Sequence, residues 1–458
     1  MRHLLSFLLI LCWTVPVFSA EGSPKNIILL IADDLGLQCG CYGDKVIQTP
    51  NIDALAKNGT RFKMGFASVS SCSPSRATLL TGLPTHQNGQ YGLAHATHHQ
   101  HTFAQVQSLP KLLGKSGYRT AVISKLHVLP KEVYPWDEEI NQGTGGGRDV
   151  GGVNNAARKF IKESGDKPFF ILVGFTDPHR AVKGFANEKN YANVPSVKYD
   201  PKEIPLPYHL PDHPEVRQDL ADFYQSISRL DHGVGLIQQT LKELGKAENT
   251  LVIFLSDNGI PFPGAKTTLY DSGLHLPLMI HAPGKKAGIE SEAMASWTDI
   301  APTILDYAGV KPPKEMLGRS LLSILDQPQP TGWDTVYGSH QFHEITMYYP
   351  MRMVRTRTHK LILNLAHPLP YPCAADLYES LSWQGILKRN GQMLGERSRT
   401  TFEQRPREEL YDMTKDPNEL KNLIEDVNAA EIVKDLRTKL KEWQTATNDP
   451  WLVKDQHE

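Results

Sequence analysis

Cysteine is scarce in this sequence, the charges nearly cancel, and long apolar runs are missing. Five cysteines in 458 residues cannot be the main staple of the fold, which excludes a disulfide-rich scaffold. A net charge of -1 without a long basic run gives no indication of binding to nucleic acid or to a membrane surface. No stretch reaches the roughly 20 apolar residues that a membrane-spanning helix needs. The composition is that of a soluble globular enzyme, long enough for one large domain and a smaller one.

The first 20 residues have the pattern of a signal peptide. Arg2 supplies a positive charge, residues 4–15 are mainly apolar, and residues 17–20 end in the small side chains that precede a cleavage site. The apolar part is too short to span a bilayer. We therefore expect an exported, soluble mature protein, which would be periplasmic, secreted or lysosomal depending on the host.

Four apolar runs rich in β-formers each end in charged, amide or imidazole side chains. The runs are residues 26–31, followed by Asp33 and Asp34; 118–123, followed by Lys125 and His127; 169–175, followed by His179 and Arg180; and 250–255, followed by Asp257 and Asn258. Such runs are typical of strands buried on both faces of a mainly parallel sheet. Between them, residues 220–244 repeat apolar side chains at helical spacing. The alternation predicts an α/β sandwich, in which ligands bind at the carboxyl ends of the strands.

Four of these side chains indicate a metal site. Asp33, Asp34, Asp257 and Asn258 offer only hard oxygen ligands, which suit Ca²⁺ or Mg²⁺ and not zinc or copper. Their three negative charges would be largely offset by a divalent cation.

Cys72, Pro74 and Arg76 form the pattern C-x-P-x-R, which resembles the signature of the type I sulfatases of the alkaline-phosphatase superfamily. The resemblance extends through the metal acids and Lys125-x-His127 over essentially the whole mature chain. It implies an alkaline-phosphatase-like α/β sandwich with a large mainly parallel sheet, plus a smaller C-terminal subdomain with an antiparallel sheet and a helix.

The resemblance also implies a covalent mechanism. Cys72 would be converted by a separate maturation enzyme to formylglycine (3-oxoalanine), whose hydrated aldehyde attacks sulfur. A calcium ion, with Mg²⁺ as the alternative, would be held by the modified residue 72 together with Asp33, Asp34, Asp257 and Asn258. The implied catalytic roles are orientation and activation of the diol by Arg76 and Lys125, release of sulfate by His127, protonation of the leaving group by His179 and contact with the sulfate by Lys266.

Longer stretches resemble the branch of the family that removes N-linked sulfate from glucosamine. They are residues 70–77, 83–89, 98–99, 257–263, 343–352, 409–412 and 448–451. The resemblance implies a sulfated glycan substrate of heparan type, cleaved at its non-reducing end, and a sugar pocket lined by His98, His99, His343 and Glu344. Position 266 departs from this branch, since lysine keeps the charge expected of an arginine but not its two-pronged geometry.

The C-terminal part has a different pattern. Residues 351–356, 360–364 and 409–412 are predicted strands, and Ile432, Leu436, Leu440 and Trp443 mark a closing amphipathic helix. Residues 383–405 are polar and basic and are predicted to form a loop excursion. We expect residues 1–20 to be the signal peptide, 24–330 the sulfatase catalytic domain and 331–458 the C-terminal subdomain.

Two other functions fit parts of the sequence. One is an O-sulfatase that acts on another sulfated sugar or an aryl sulfate. The other is a non-catalytic binder of sulfated glycans in which Cys72 is never converted. Lys125 and His127 favour catalysis, because a binder has no need of diol-activating groups. We expect a sulfated glycan and the maturation enzyme as partners, and neither nucleic acid nor a membrane. The sequence does not determine the oligomeric state, and a homodimer is one of the alternatives.

Overall fold

An eight-stranded β-sheet forms the centre of the protein in the computed structural model, which describes residues 25–456. The predicted signal peptide lies outside the described residues. The strands are β1 (Asn26–Ala32), β2 (Thr60–Phe66), β3 (Arg119–Ser124), β4 (Glu138–Ile140), β5 (Phe169–Gly174), β6 (Thr250–Ser256), β7 (Leu278–His281) and β8 (Ile289–Ser296). Their order across the sheet is β4-β3-β5-β1-β6-β7-β2-β8. Only β7 runs antiparallel to its neighbours, so the predicted mainly parallel sheet is confirmed.

The main sheet has α-helices on both of its faces, and further helices belong to the C-terminal part. The helices are α1 (Pro50–Asn58), α2 (Cys72–Thr81), α3 (Thr85–Asn88), α4 (Leu109–Lys115), α5 (Val150–Ser164), α6 (Pro214–Glu243), α7 (Asp271–Leu274), α8 (Ile300–Ala308), α9 (Ala375–Tyr378), α10 (Leu381–Lys388), α11 (Arg399–Glu403) and α12 (Ala430–Ala446). Strand β1 alternates between the two cores, with Ile27 and Leu29 in one and Ile28 and Leu30 in the other. The first core includes α2, α4 and α8, and the second includes α1, α5 and α6. This layering confirms the predicted α/β sandwich.

A second, antiparallel sheet lies in the C-terminal part. Its strands are β9 (Thr335–His340), β10 (Met351–Thr356), β11 (His359–Asn364) and β14 (Glu408–Asp412), in the order β14-β11-β10-β9. Val354 and Leu361 pack against Leu436 and Leu440 of α12 in a small core of their own. Met351 and Met353 belong to the first core of the main sheet, so the small sheet is held on both faces. The predicted antiparallel sheet and closing helix are confirmed, and β9 is an addition.

The predicted loop at residues 383–405 is wrong. This segment holds most of α10, the short hairpin of β12 (Met393–Leu394) and β13 (Arg397–Ser398), and α11. Ser380 caps α10 by accepting a hydrogen bond from the Trp383 N–H, and Trp383 and Ile386 enter the first core. Basic side chains interrupt the short apolar pattern of this segment, which is why the sequence predicts a loop here. In the described part of the chain, no helix is both long and apolar enough to cross a membrane.

Candidate active site

Four neighbouring parallel strands end at one edge of the main sheet. In spatial order they are β3, β5, β1 and β6, and the segments that follow them carry Lys125, His179, Asp33 and Asp257. Gly174 at the end of β5 allows a close approach here, because a Cβ on it would lie 2.0 Å from the Lys125 carbonyl oxygen. The predicted meeting of these side chains is therefore confirmed.

Cys72 and Arg76 reach this edge from α2. Cys72 is the first residue of the helix and Arg76 lies one turn further, so the two side chains share a face. Both are buried, with 1% and 0% of their surface exposed. Burial raises the pKa of the Cys72 thiol well above its usual range, and the nearby Lys266 and Lys125 only partly offset this.

We name the largely buried side chains at this place the sheet-edge cluster. Its members are Asp33, Asp34, Cys72, Arg76, Lys125, Asp257, Asn258 and Lys266. The turns after β1 and β6 are tied together, because Asp257 Oδ1 accepts the N–H groups of Asp34 at 3.0 Å and of Asn258 at 2.9 Å. Asn258 Nδ2 donates to Asp34 Oδ1 at 2.6 Å. The cluster is thus held by its backbone as well as by its charges.

Three cations face the acids of the cluster. Arg76 Nε donates to Asp257 Oδ2 at 2.8 Å, Lys266 Nζ donates to Asp34 Oδ2 at 2.9 Å, and Lys125 pairs with Asp33. Burial opposes ionisation of Asp33, but Lys125, His179 and Arg76 outweigh it and hold the pKa of its carboxyl well below its usual range. Burial and the neighbouring Asp33 raise the pKa of Asp257. The acids therefore differ in environment although they share one site.

The cluster has the chemistry of a cation site. Ligand atoms of Asp33, Asp34, Cys72 and His179 lie within 4.8 Å of one another. Asp33 Oδ1 and Asn258 Oδ1 are buried and accept no hydrogen bond from any described residue. Arg76 Nη2 is 3.6 Å from Asp33 Oδ1, which is beyond hydrogen-bond distance. Buried oxygens without a donor are costly, and a hard divalent cation would satisfy them.

His127 has a partner that the sequence did not indicate. Its Nε2 lies 2.5 Å from Nδ1 of His95, an exposed residue that no sequence motif links to this site. Burial and the positive charge of Lys125 hold the pKa of His127 well below its usual range, so the imidazole is neutral. Burial also lowers the pKa of His95, so one ring donates its N–H to the unprotonated nitrogen of the other along this contact.

His179 presents one defined nitrogen to the site. Its Nδ1 lies 2.6 Å from the Arg180 carbonyl oxygen, and because a carbonyl only accepts, Nδ1 carries the proton. Nε2 faces Asp34 Oδ2 at 3.7 Å. Arg148 holds the segment by donating to the His179 carbonyl at 2.8 Å and by pairing with Asp177.

Asp376 is a site residue that sequence reasoning missed. It lies on α9 in the C-terminal part, and its Oδ2 accepts from Lys266 Nζ at 2.7 Å and lies 4.0 Å from His179 Nε2. Burial disfavours its charge, but Lys266 outweighs burial and holds the pKa of the Asp376 carboxyl well below its usual range. No local pattern around residues 375–378 distinguishes this aspartate from a helix-capping one.

The four predicted sugar-pocket residues are placed differently from one another. His343 is buried, with Nδ1 2.8 Å from Ser71 Oγ, directly before Cys72. Glu344 Oε1 accepts the N–H of Ala375 at 2.9 Å and so holds the start of α9. His98 Nδ1 accepts the N–H of Ile345 at 3.2 Å. His99 is exposed and lies edge-on to His101, and none of its described contacts reaches the sheet-edge cluster.

Backbone strain also gathers around the site. Asp34, Ser124, His127 and Thr267 have φ values between 62° and 73°, in the left-handed region that non-glycine residues rarely adopt. Each lies in or next to a turn that carries a site side chain. Such strain persists only where the surrounding structure holds it, and it is common at active sites.

Fold and site together define a sulfatase. The sequence model of the family described as "Sulfatase" matches residues 25–310, and the chain belongs to this family. A second model, described as "N-sulphoglucosamine sulphohydrolase, C-terminal", matches residues 265–370. The protein is therefore an enzyme of the sulfatase class, as the sequence predicts.

The relatives sharpen this placement. N-sulphoglucosamine sulphohydrolase of Homo sapiens is 42% identical over 464 aligned positions, which cover 94% of this chain and 92% of the human one. An ulvan-active sulfatase of Formosa agariphila is 30% identical over 94% of this chain and 82% of its own. The predicted likeness to the N-sulfate branch of the family is confirmed.

A solved structure confirms the alkaline-phosphatase-like fold. It is a protein in complex with its substrate D-glucosamine-2-N,6-O-disulfate, and it superposes on 93% of this chain and 99% of its own with a TM-score of 0.69 at 22% identity.

Proposed function

We propose that this enzyme removes N-linked sulfate from glucosamine at the non-reducing end of heparan-type glycans. The observation that carries the proposal is the position of His179, whose Nε2 faces the sheet-edge cluster 3.7 Å from Asp34. An amine is a poor leaving group unless it is protonated, so cleavage of an S–N bond needs a proton donor at this place, which His179 would be in its imidazolium form with a proton on Nε2 as well as on Nδ1. The 42% identity with human N-sulphoglucosamine sulphohydrolase supports the same substrate class.

Residue 72 would supply the nucleophile. After conversion of Cys72 to formylglycine by a maturation enzyme, the hydrated aldehyde is an oxygen nucleophile for sulfur. The buried position of residue 72 at the start of α2 supports this role, because it places the side chain among the cations of the cluster. A thiol with a raised pKa would be a poor nucleophile at this place.

Asp33, Asp34, Asp257 and Asn258 would hold Ca²⁺, with Mg²⁺ as the alternative. The unpartnered oxygens of Asp33 and Asn258 support this assignment. When bound, the cation supplies Lewis-acid polarisation of oxygen at the reacting centre.

The cations and imidazoles of the chain would divide the remaining work. Arg76 is fixed by Asp257 and by the Lys125 carbonyl at 2.9 Å, so it can orient the group at residue 72. Lys125 and Lys266 would neutralise charge on the sulfuryl group as it transfers. His127 is neutral and can accept a proton when sulfate is released from residue 72.

The environment of the enzyme is part of the proposal. We infer that the chain is exported and soluble and that it acts in the periplasm, outside the cell or in the lysosome. We also infer that it divides into a catalytic domain of residues 24–330 and a C-terminal subdomain of residues 331–458.

The sugar pocket would be bordered by His98, His99, His343 and Glu344. The contacts of Glu344 with Ala375 and of His343 with Ser71 support an indirect role, in which they shape the pocket wall.

Sulfate release from three substrates tests the proposal. N-sulfoglucosamine, glucosamine 6-O-sulfate and an activated aryl sulfate should be compared with wild type and with His179→Ala. We expect N-sulfoglucosamine to be preferred over the 6-O-sulfate. The variant should lose at least about a hundredfold more on the sulfamate than on the aryl sulfate, whose phenolate leaves without a proton.

The other outcomes separate the rival functions. Faster release from the 6-O-sulfate would favour an O-sulfatase. Binding of the sulfated sugar without turnover on any of the three, with an unconverted Cys72, would indicate a glycan binder. Equal losses of His179→Ala on sulfamate and aryl sulfate would remove His179 from the role of acid.

A further inference from the structure

We propose that Asp376 is a specificity-determining residue that accepts a hydrogen bond from the nitrogen of the leaving group and so selects an amine over an ester oxygen. This inference deepens the proposed function and rests on it. Nothing in the local sequence suggests the role, and Asp376 comes from the C-terminal part of the chain, beyond all the residues that surround Cys72.

The position of Asp376 supports this role. Its Oδ2 accepts from Lys266 Nζ at 2.7 Å and lies 4.0 Å from His179 Nε2. Lys266 also bonds Asp34 at 2.9 Å, so it bridges the cluster and the Asp376 carboxylate. Asp376 therefore lies beside the two groups proposed to contact the sulfate and the leaving group.

The second carboxylate oxygen of Asp376 lacks a hydrogen-bond donor among the described residues. Oδ1 is buried and accepts no hydrogen bond from any described residue, although the side chain as a whole is 22% exposed. A buried carboxylate oxygen without a donor is costly, because it has lost its water and gained nothing. A substrate that brings an N–H group to this oxygen would remove that cost on binding.

The side chain is also held in place before any substrate arrives. Glu344 Oε1 accepts the Ala375 N–H at 2.9 Å, and the Tyr378 N–H donates to the Ala374 carbonyl at 2.8 Å. Leu377 packs with Met347 and Ala374 in a small core. A pre-positioned acceptor discriminates between ligands better than a mobile one.

The two leaving groups differ at the atom that Asp376 would meet. A sulfamate nitrogen carries a hydrogen, and the amine that departs from it becomes an ammonium ion, so both can donate to a carboxylate. The bridging oxygen of a sulfate ester carries no hydrogen. The charge of Asp376 would therefore favour the amine product and give nothing to an aryl leaving group.

Variants of Asp376 measured on two substrates test the inference. In Asp376→Ala we expect kcat/KM for N-sulfoglucosamine to fall about 10- to 100-fold, and kcat/KM for 4-methylumbelliferyl sulfate to change less than about threefold. The matched control is Glu379→Gln, which changes an exposed carboxylate three residues further along and should leave both rates unchanged. Equal losses of Asp376→Ala on both substrates would overturn the inference, because Asp376 would then act only through Lys266 on the sulfate.

Product inhibition provides a second measurement that does not need sulfamate turnover. With the aryl sulfate as substrate, glucosamine should inhibit wild type and should inhibit the isosteric Asp376→Asn variant at least about fivefold more weakly. Inhibition by 2-deoxyglucose, which keeps the other hydroxyls but carries no hydrogen-bond donor at C2, should be the same in both proteins. Unchanged inhibition by glucosamine would refute recognition of the amine, and an equal weakening for both sugars would assign Asp376 to a hydroxyl instead.

These measurements also separate the inference from the proposed function. If wild type hydrolyses the aryl sulfate but not N-sulfoglucosamine, the proposed function fails. The inhibition by glucosamine then still decides whether Asp376 binds an amine.

Discussion

Two buried groups of charges in this protein differ in how completely they are satisfied. Arg352 and Asp449 form a one-to-one pair, with Arg352 Nε on Asp449 Oδ2 at 2.6 Å and Nη2 on Oδ1 at 2.8 Å. Gln444 and the Trp451 N–H donate to the same carboxylate. In the sheet-edge cluster, by contrast, buried oxygens of Asp33 and Asn258 have no donor among the described residues.

The difference separates a structural role from a functional one. Residues 352 and 449 lie in stretches that resemble the sulfatase family as clearly as the stretch around Cys72 does. Their pair is closed, however, and offers no group to a ligand. An active site must keep hydrogen-bonding and ligand positions free for the substrate or the metal. It must also hold charges together in an arrangement that the stability of the fold alone would not favour. Both groups lie in stretches that resemble the family, but their loss should have different consequences. Loss of the Arg352–Asp449 pair should reduce stability, and loss of a member of the sheet-edge cluster should reduce activity.

The largest effect is expected at residue 72. Cys72→Ala should reduce turnover to less than about a thousandth of the wild-type rate while leaving the melting temperature nearly unchanged, since the attacking group is lost and the fold is not. Cys41→Ala is the control, because it removes another thiol of the chain and should keep the activity. Mass spectrometry of the wild-type peptide across residue 72 should show a loss of about 18 Da on conversion to the aldehyde. A Cys72→Ala variant with a tenth of the wild-type rate would exclude covalent catalysis at this residue.

Removal of the metal should produce the next largest effect. Exhaustive treatment of the full chain with a chelator should remove the cation and stop sulfate release. Calcium should restore the activity better than zinc, because the ligands are hard oxygens. Calcium at a hundredfold excess over its Kd should also raise the free energy of unfolding by about 2.7 kcal/mol. An Asp449→Asn variant should show the same gain, since the Arg352–Asp449 pair is closed to ligands. Full activity of metal-free protein would contradict the assignment.

Much of this site could be predicted because its signals are local. An apolar run followed at once by an acid can be read within ten residues, and the parallel packing of β3, β5, β1 and β6 then brings the ends together. This pattern predicts the cluster members Asp33, Asp34, Asp257 and Asn258. The small antiparallel sheet and α12 were likewise predicted from short periodic patterns.

The remaining residues depend on contacts between distant parts of the chain. Asp376 meets Lys266 across 110 positions, and His95 meets His127 across 32, with no periodicity or motif to join either pair. The sequence predicts a loop at residues 383–405 because the few apolar residues that enter the core, such as Trp383 and Ile386, are interspersed with basic and polar side chains. Only the folded chain shows which polar residues face one another.

Breaking the Arg352–Asp449 pair should destabilise the fold without changing the rate of the reaction. In Asp449→Asn the guanidinium of Arg352, which is fully buried, loses its counter-charge, and we expect the free energy of unfolding to fall by about 3–5 kcal/mol. The kcat of the folded fraction should be unchanged. Asp435→Asn on α12 is the matched control, because its ion pair with Lys439 is exposed and should contribute less than about 1 kcal/mol. A fall in the kcat of the folded fraction would show that the Arg352–Asp449 pair and the sheet-edge cluster are coupled.

The smallest effect expected is a pH dependence of that same pair. Burial opposes ionisation of Asp449, but Arg352 lowers the pKa of its carboxyl to about 2. A carboxyl with a depressed folded pKa stabilises fully above its unfolded pKa of about 3.9, and this stabilisation is lost as the pH falls towards 2. The difference in unfolding free energy between wild type and Asp449→Asn should therefore shrink by about 1 kcal/mol between pH 6 and pH 3, measured by urea denaturation. Groups far from the pair contribute equally to both proteins and cancel in this difference. His86, whose pKa burial lowers to about 4, cancels only in part, because the charge of Asp449 raises that pKa. A difference that stays constant down to pH 3 would show that the Asp449 carboxylate is not what Arg352 depends on.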